Sequence, residues 1–308
     1  MYTGAVVMRL RLRDEVVPYP LFTIKGRLRL SGLDDQAISE IMHYSVVQDS
    51  KTEEELFIHV RESLESFKPD IPTNFETLTK YEQYRGKSSE LPAIVVVLEG
   101  ASATGKSLIA LELMRDLTAT RFISTDSVRQ VLRGVMSEEK HPEIFCHTYQ
   151  AHTHRQIGPA DLDPVLRGFL AQCEIITPHI ETMIENIIAE GTIAVVEGVH
   201  ILPGSLQGFS PSAIEFLINP DAVTHKAMFA GKYEMGKLRT VSEDITVRAK
   251  EFEATRAIQE YMLEEAEKAT VPVIALTDYD DALISISTHI VSVVRNLLSS
   301  FEEGEIKK

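Results

Sequence analysis

Gly100-Ala101-Ser102-Ala103-Thr104-Gly105-Lys106-Ser107 fits GxxxxGK[ST], the Walker A pattern of a phosphate-binding loop. Small residues let backbone N–H groups curl around phosphate oxygens, and a helix N-terminus behind them adds partial positive charge. The run from Gly100 to Leu108 is therefore the expected cradle for ATP. Within it, Lys106 is expected to neutralise charge between the β- and γ-phosphates, and the Ser107 hydroxyl to ligate Mg²⁺. A guanine-reading NKxD is missing: the nearest run, Asn219-Pro220-Asp221-Ala222, has no lysine. Helicase and transporter ATPases are usually longer and multipartite. The pattern points to a small-molecule kinase.

A kinase also needs an acceptor side. Asp126, in Ser124-Thr125-Asp126-Ser127-Val128-Arg129-Gln130-Val131-Leu132-Arg133, is the candidate for orienting an acceptor hydroxyl and taking its proton. Arg129 and Arg133 are four apart on one helix face, so both can reach one anionic substrate. The alternative is a helix cap with solvated arginines. Glu197 closes Val195-Val196-Glu197 and would hold Mg²⁺ as a Walker-B acid, unless it is an exposed strand-end carboxylate. His200 is either a hydrogen-bond donor to a substrate phosphate or an ordinary loop histidine. Lys226, Lys232, Lys237, Arg239 and Arg248 form either a basic lid over the reaction or an exposed charged helix pair. His147, His152 and His154 match no metal-ligand spacing.

Those residues need elements to position them. Ile94–Leu98 is a continuous β-branched run, as in a buried parallel strand. A helix over 106–117, a strand over 121–124 and a helix from 126 to 135 follow. Then come a long helix over 162–190, expected to bend near Pro178, and a strand over 192–197. Strands at 213–218 and 272–276, with helices over 243–268 and 280–299, complete the pattern. Strand–helix alternation of this kind predicts an α/β fold with a parallel sheet, as in P-loop NTPases. The polar stretch Tyr84–Pro92 marks a domain boundary, giving a small, mostly helical N-terminal domain over 1–90 and the kinase domain over 91–308. In the first, a strand is expected over Val6–Leu12 and helices at 34–47 and from 53 to 64, the last capped by Thr52.

The chain has 308 residues, enough for two domains, and a net charge of −15. Such an acidic balance speaks against a general nucleic-acid binder. Residues 91–308 carry 19 basic and 31 acidic side chains, so a phosphate site there must concentrate its cations locally. No apolar run reaches about 18 residues, so no membrane span is expected. Two cysteines in no paired spacing suggest free thiols and a cytoplasmic location. A homo-oligomer stays open.

The stretches Leu98–Ser107, Ile123-Ser124-Thr125-Asp126-Ser127-Val128-Arg129 and Val196-Glu197-Gly198-Val199-His200-Ile201-Leu202-Pro203-Gly204 together resemble archaeal 2-phosphoglycerate kinase. The resemblance implies ATP-dependent phosphorylation of the 3-hydroxyl of 2-phosphoglycerate, feeding cyclic 2,3-diphosphoglycerate synthesis. Lys106, Ser107, Asp126, Arg129 and Glu197 carry the motif match. It also implies an ATP-cone-like N-terminal segment, for which Arg9/Arg11/Arg13 and Lys25/Arg27/Arg29 would supply triphosphate-neutralising charge. Pro20-Leu21-Phe22-Thr23 stands where that family's segment continues into Ser-Arg-Gly. A kinase for another small hydroxy acid or phosphorylated metabolite, and a non-catalytic ATP sensor, are the competing readings.

Overall fold

The computed structural model describes residues 9–12, 15–47, 50–236 and 244–304. The chain divides into two compact units. One comprises Met1–Leu91, Arg115–Thr118 and Ser287–Lys308, and the other Pro92–Met114 and Ala119–Ile286.

In the first unit, β1 (Arg9–Leu12) pairs antiparallel with β2 (Glu15–Pro18). Of the strand expected over Val6–Leu12, residues 6–8 lie outside the described residues, as does Arg13. Four helices follow: α1 (Leu21–Leu30), α2 (Asp35–Val47), α3 (Glu53–Leu64) and α4 (Asp70–Arg85). They enclose a core of Ile24, Leu28, Ile41, Leu56, Val60 and Phe75. Thr52 caps α3, accepting from the Glu55 N–H at 3.2 Å, while Glu55 reaches back to the Lys51 N–H at 2.7 Å. Two of the cations that could have neutralised a triphosphate, Arg27 and Arg29, are engaged. Arg27 donates to Thr79 (3.3 Å) and Glu82 (2.6 Å) and lies over Phe57, and Arg29 pairs with Asp35 and Asp116.

The second unit is built on a parallel sheet of β3 (Val95–Glu99), β4 (Arg121–Ser124), β5 (Ala194–Gly198), β6 (Ala213–Asn219) and β7 (Val273–Ala275). The spatial order is β4-β5-β3-β6-β7. Helices α5 (Lys106–Asp116), α6 (Thr125–Val135), α7 (Pro164–Ala189), α8 (Ala222–Gly236), α9 (Ile245–Ala269) and α10 (Tyr279–Glu302) connect or flank the strands. Two 3₁₀ turns, Pro142–Phe145 and Thr148–Thr153, lie between α6 and α7. All five residues of β3 and all five of β5 are buried, as the apolar runs Val95–Leu98 and Ala194–Val196 require. From β3 the chain goes to β4 and β5 on one side and then to β6 and β7 on the other, and the crevice at the carboxyl end of such a switch is where these sheets bind ligands.

Helix α7 runs through Pro178 without interruption. Its Ile176, Ile180, Ile184 and Ile187 recur at helical spacing and pack on Val95, Val97, Ala194 and Val196 of the sheet. Helix α10 is long and apolar enough to cross a membrane by length and composition. Its apolar residues Ala282, Ile286, Ile290, Val291, Val294, Leu297 and Leu298 are buried in the protein, which accounts for that composition.

One buried pair has a thermodynamic consequence. Glu99 at the end of β3 is wholly buried beside Glu215 of β6, whose carboxylate accepts from the Gly204 N–H at 2.9 Å. Burial first, and the Glu215 charge second, push the Glu99 carboxyl well above its ordinary range. A raised acid keeps its proton in the folded state while the unfolded chain loses it. Stability is then full below pH of about 4 and falls as pH rises toward the folded value, by up to about 1.4 kcal/mol per pH unit. Glu99→Gln removes this loss. Urea unfolding at pH 5 and pH 8 should show the variant losing less stability across that interval than wild type. Equal losses would mean that Glu99 does not hold a proton.

Candidate active site

The turn after β3 takes the conformation its residue types allow. Gly105 has φ +85°, and a Cβ there would lie 2.5 Å from Leu276 Cδ2. Ala103 also adopts positive φ (+67°). The turn is held from behind by two residues that no motif announced. Gln259 of α9 is fully buried. Its Oε1 accepts from the Ala101 N–H (2.8 Å), and its Nε2 donates to Ile218 O and Asn219 Oδ1 (3.1 Å each). His225 of α8 is also fully buried, and its Nε2 donates to Ser102 O at 2.8 Å.

Strand pairing brings the expected acid to this turn. Glu197 is opposite Leu98 in the β3–β5 register. Ser107 Oγ donates to Glu197 Oε2 at 3.1 Å, and Lys106 Nζ lies 3.8 Å from the same oxygen while donating to Ala101 O at 3.1 Å. Glu197 is 8 % exposed, so the alternative of a solvated strand-end carboxylate does not describe it.

On the acceptor side, Ser124 is the N-cap of α6 and makes no side-chain capping bond. Asp126 therefore does not serve as the cap. Its carboxylate is 67 % exposed and lies 3.1 Å from Arg129 Nη2. A cavity of about 880 Å³ is lined by Ala101–Leu108, Asp126, Arg129 and Glu197 together, so one wall set holds the phosphate turn and the acceptor-side acid. Gly100, Arg133 and His200 do not line it. Arg133 instead donates to Ile144 O (2.6 Å) and Cys146 O (3.3 Å), and burial with the neighbouring Arg129 charge lowers its pKa.

His200 is fully buried, and its surroundings dictate its tautomer. Gln172 Nε2 donates to the carbonyls of Glu143 and Cys146, so its Oε1 must face His200 as an acceptor, at 3.0 Å. His200 Nε2 therefore carries the proton, and Nδ1 accepts from the Thr125 hydroxyl at 2.9 Å. Burial lowers the His200 pKa to about 3, so the ring is neutral at ordinary pH. It positions Thr125, the neighbour of Asp126, rather than meeting a substrate phosphate.

Of the basic lid set, Lys226 lies on α8 and Arg248 on α9. Lys237, Arg239 and the side chain of Lys232 lie outside the described residues. Among the described residues no three His, Cys, Asp or Glu side chains gather as a metal cluster, and His152 is spent on Tyr149 O (3.1 Å). Sequence reasoning missed His147, Thr148, Tyr149, Met228, Leu276 and Tyr279, which also line the cavity. They come from loops and helix faces with no motif of their own.

Gly198 tests whether this scaffold aims Asp126. It has φ +155°, and a Cβ there would fall 1.9 Å from Thr125 Oγ1. Gly198→Ala must displace Thr125 and its bond to His200. Misplacement on the order of 1 Å costs about 100-fold in turnover. Steady-state kinetics should show such a loss while the affinity for an ATP analogue stays within about threefold. Unchanged turnover would mean that Thr125 does not position the acid.

No family model matches the chain. It is 31 % identical over 296 residues to the 2-phosphoglycerate kinase of Methanopyrus kandleri, covering 94 % of this chain and 84 % of that protein. It is 31 % identical over 312 residues to the 2-phosphoglycerate kinase of Methanothermobacter thermautotrophicus, covering 99 % and 94 %. A solved unliganded sugar kinase from Janibacter sp. HTCC2649 matches 67 % of this chain and 98 % of its own at 14 % identity and a TM-score of 0.39, a likeness too loose to argue from. The identity and coverage shared with the two archaeal enzymes place this chain in the 2-phosphoglycerate kinase family.

Proposed function

We propose that this protein transfers the γ-phosphoryl group of ATP to the 3-hydroxyl of 2-phosphoglycerate, yielding ADP and 2,3-bisphosphoglycerate. The observation that carries the reading is one cavity walled both by Lys106 and Ser107 of the phosphate turn and by Asp126 and Arg129 of α6. A nucleotide sensor would need only the first set. The names of the archaeal relatives supply the acceptor.

In this reading the backbone N–H groups of the turn and the Lys106 ammonium bind the phosphates of ATP. Asp126 orients the acceptor hydroxyl. The hydroxyl oxygen forms a bond to the γ-phosphorus as the bond to the β–γ bridging oxygen breaks, and ADP leaves with that electron pair. The hydroxyl proton passes to Asp126. A carboxylate is a weak base for an alcohol, so Asp126 contributes mainly by position in a loose transition state. The adjacent oxygens of Ser107 and Glu197 are hard donors of the kind Mg²⁺ takes, so these two residues would hold it, directly or through water. The ion would neutralise charge on the phosphates.

For the first unit we favour a structural role over a second nucleotide site, because Arg27 and Arg29 are tied to Glu82, Asp35 and Asp116. An ATP-cone-like segment would then be a matter of ancestry rather than binding. Two free cysteines agree with a cytoplasmic enzyme.

Two variants test the reading. Lys106→Ala should lower turnover at least about 100-fold by removing charge stabilisation of the transferring group. Asp126→Asn should lower kcat about 100- to 10,000-fold with KM for 2-phosphoglycerate within about threefold and thermal stability unchanged, since Asp126 is no cap. Retention of more than about a tenth of activity by either variant would contradict the assignment.

A further inference from the structure

The cavity lining also contains a segment that the motifs leave without a role. His147, Thr148 and Tyr149 line the cavity beside Asp126 and Arg129. The segment hangs from a single backbone oxygen. Cys146 O, one residue earlier, accepts from Arg129 Nη1, Arg133 Nη2 (3.3 Å) and Gln172 Nε2 (3.3 Å). From the other side, the His147 ring stacks on Tyr149 with centroids 5.3 Å apart and planes 5° from parallel, and the Tyr149 hydroxyl is bonded to Glu251 of α9. Such a segment is held to a fixed place, although it consists of short irregular turns.

Three hydrogen-bond donors result. Arg129 is 9 % exposed, and its Nε is buried without a hydrogen-bond partner although the residue lines the cavity. The guanidinium belongs to a residue of the cavity lining, and its fixed positive charge suits an anion at this wall. Thr148 Oγ1 is 3.4 Å from His200 Nε2, the ring nitrogen that carries the proton. The hydroxyl is thus an acceptor toward His200, and its own proton is free to donate to the cavity. His147 supplies a ring N–H on the same wall. Arg129 and Arg133 both bear on His147, with Glu251 and Asp126 the opposing charges, so the field there is set by two guanidinium groups against two carboxylates, of which Tyr149 already engages Glu251. A carboxylate has two oxygens to offer, whereas a phosphate ester has three.

We propose that the Arg129 guanidinium, Thr148 Oγ1 and the His147 ring bind the fixed phosphate ester of the acceptor, and that this pocket selects phosphorylated over plain hydroxy acids. The proposal rests on the kinase reading above and assigns to His147 and Thr148 a specificity role that the motifs do not carry. Arg133, Gln172 and His200 are positioning residues for it.

The test is calorimetry on the full chain saturated with a non-hydrolysable ATP analogue, titrated with 2-phosphoglycerate, glycerate and inorganic phosphate. His147→Ala and Thr148→Val should each weaken 2-phosphoglycerate about tenfold or more, leave analogue affinity within about twofold, and leave glycerate affinity unchanged. Thr148→Ser keeps the donor and should bind like wild type, which separates lost donation from lost folding. Equal weakening of glycerate would assign the wall to the carboxylate and overturn the phosphate assignment. Unchanged 2-phosphoglycerate affinity in both variants, or parallel loss of analogue affinity, would also overturn it. If wild type neither binds nor phosphorylates 2-phosphoglycerate, the proposed function fails. The pocket is then judged on inorganic phosphate alone, whose affinity must fall in both variants for it to stand.

Discussion

A carboxylate, a hydroxyl and an ammonium meet at the carboxyl edge of the sheet, and the rest of the site is arranged around that meeting. Glu197 reaches Ser107 and Lys106 only because β5 pairs with β3 in the register that sets Leu98 opposite Glu197. A slip of one residue would turn the carboxylate to the other face of the sheet. Full burial of both strands under α7 and the opposite layer is what makes that register specific. The isoleucine stripe of α7 is thus tied to the chemistry through the sheet it covers.

An acidic protein that handles phosphates must keep its few cations where they act. The chain solves this by ordering them on α5 and α6, with one carboxylate, Glu197 or Asp126, beside each end of the set. Lys106 opens α5, and Arg129 and Arg133 are one turn apart on α6, with Asp126 paired to Arg129 by side chain. Arg133 is turned inward to backbone oxygens, so it contributes charge and fixes a loop without meeting a ligand. In the first unit the arrangement is opposite: Arg27 and Arg29 are matched by carboxylates.

The sheet, its helices and the phosphate side of the site were legible in the sequence because each rests on local chemistry. The β-branched run at 94–98, the glycines of the turn and the strand-end Glu197 carry their roles in residue type and spacing. Helices α1 and α4 escaped notice because Gly26 and Pro72 interrupt their patterns and tertiary burial of Leu28 and Phe75 supplies what propensity does not. Spacing suggests a substrate contact for Arg133 and leaves one open for His200, because it shows which face a residue occupies but not which partner it will find. Their partners, Ile144, Cys146, Gln172 and Thr125, are 11 to 75 residues away. Gln259 and His225 were illegible for the same reason: each is a single polar residue in a helix, meaningful only against the backbone of a distant turn.

The central claim is that one cavity joins ATP and a phosphorylated acceptor for direct transfer. Phosphorus NMR of a reaction containing wild-type protein, Mg-ATP and 2-phosphoglycerate tests it most directly. The account predicts that ADP and a glycerate carrying two phosphomonoester groups appear in equal amounts, with no inorganic phosphate. Formation of ADP with inorganic phosphate alone, or no turnover of ATP in the presence of 2-phosphoglycerate, would contradict it.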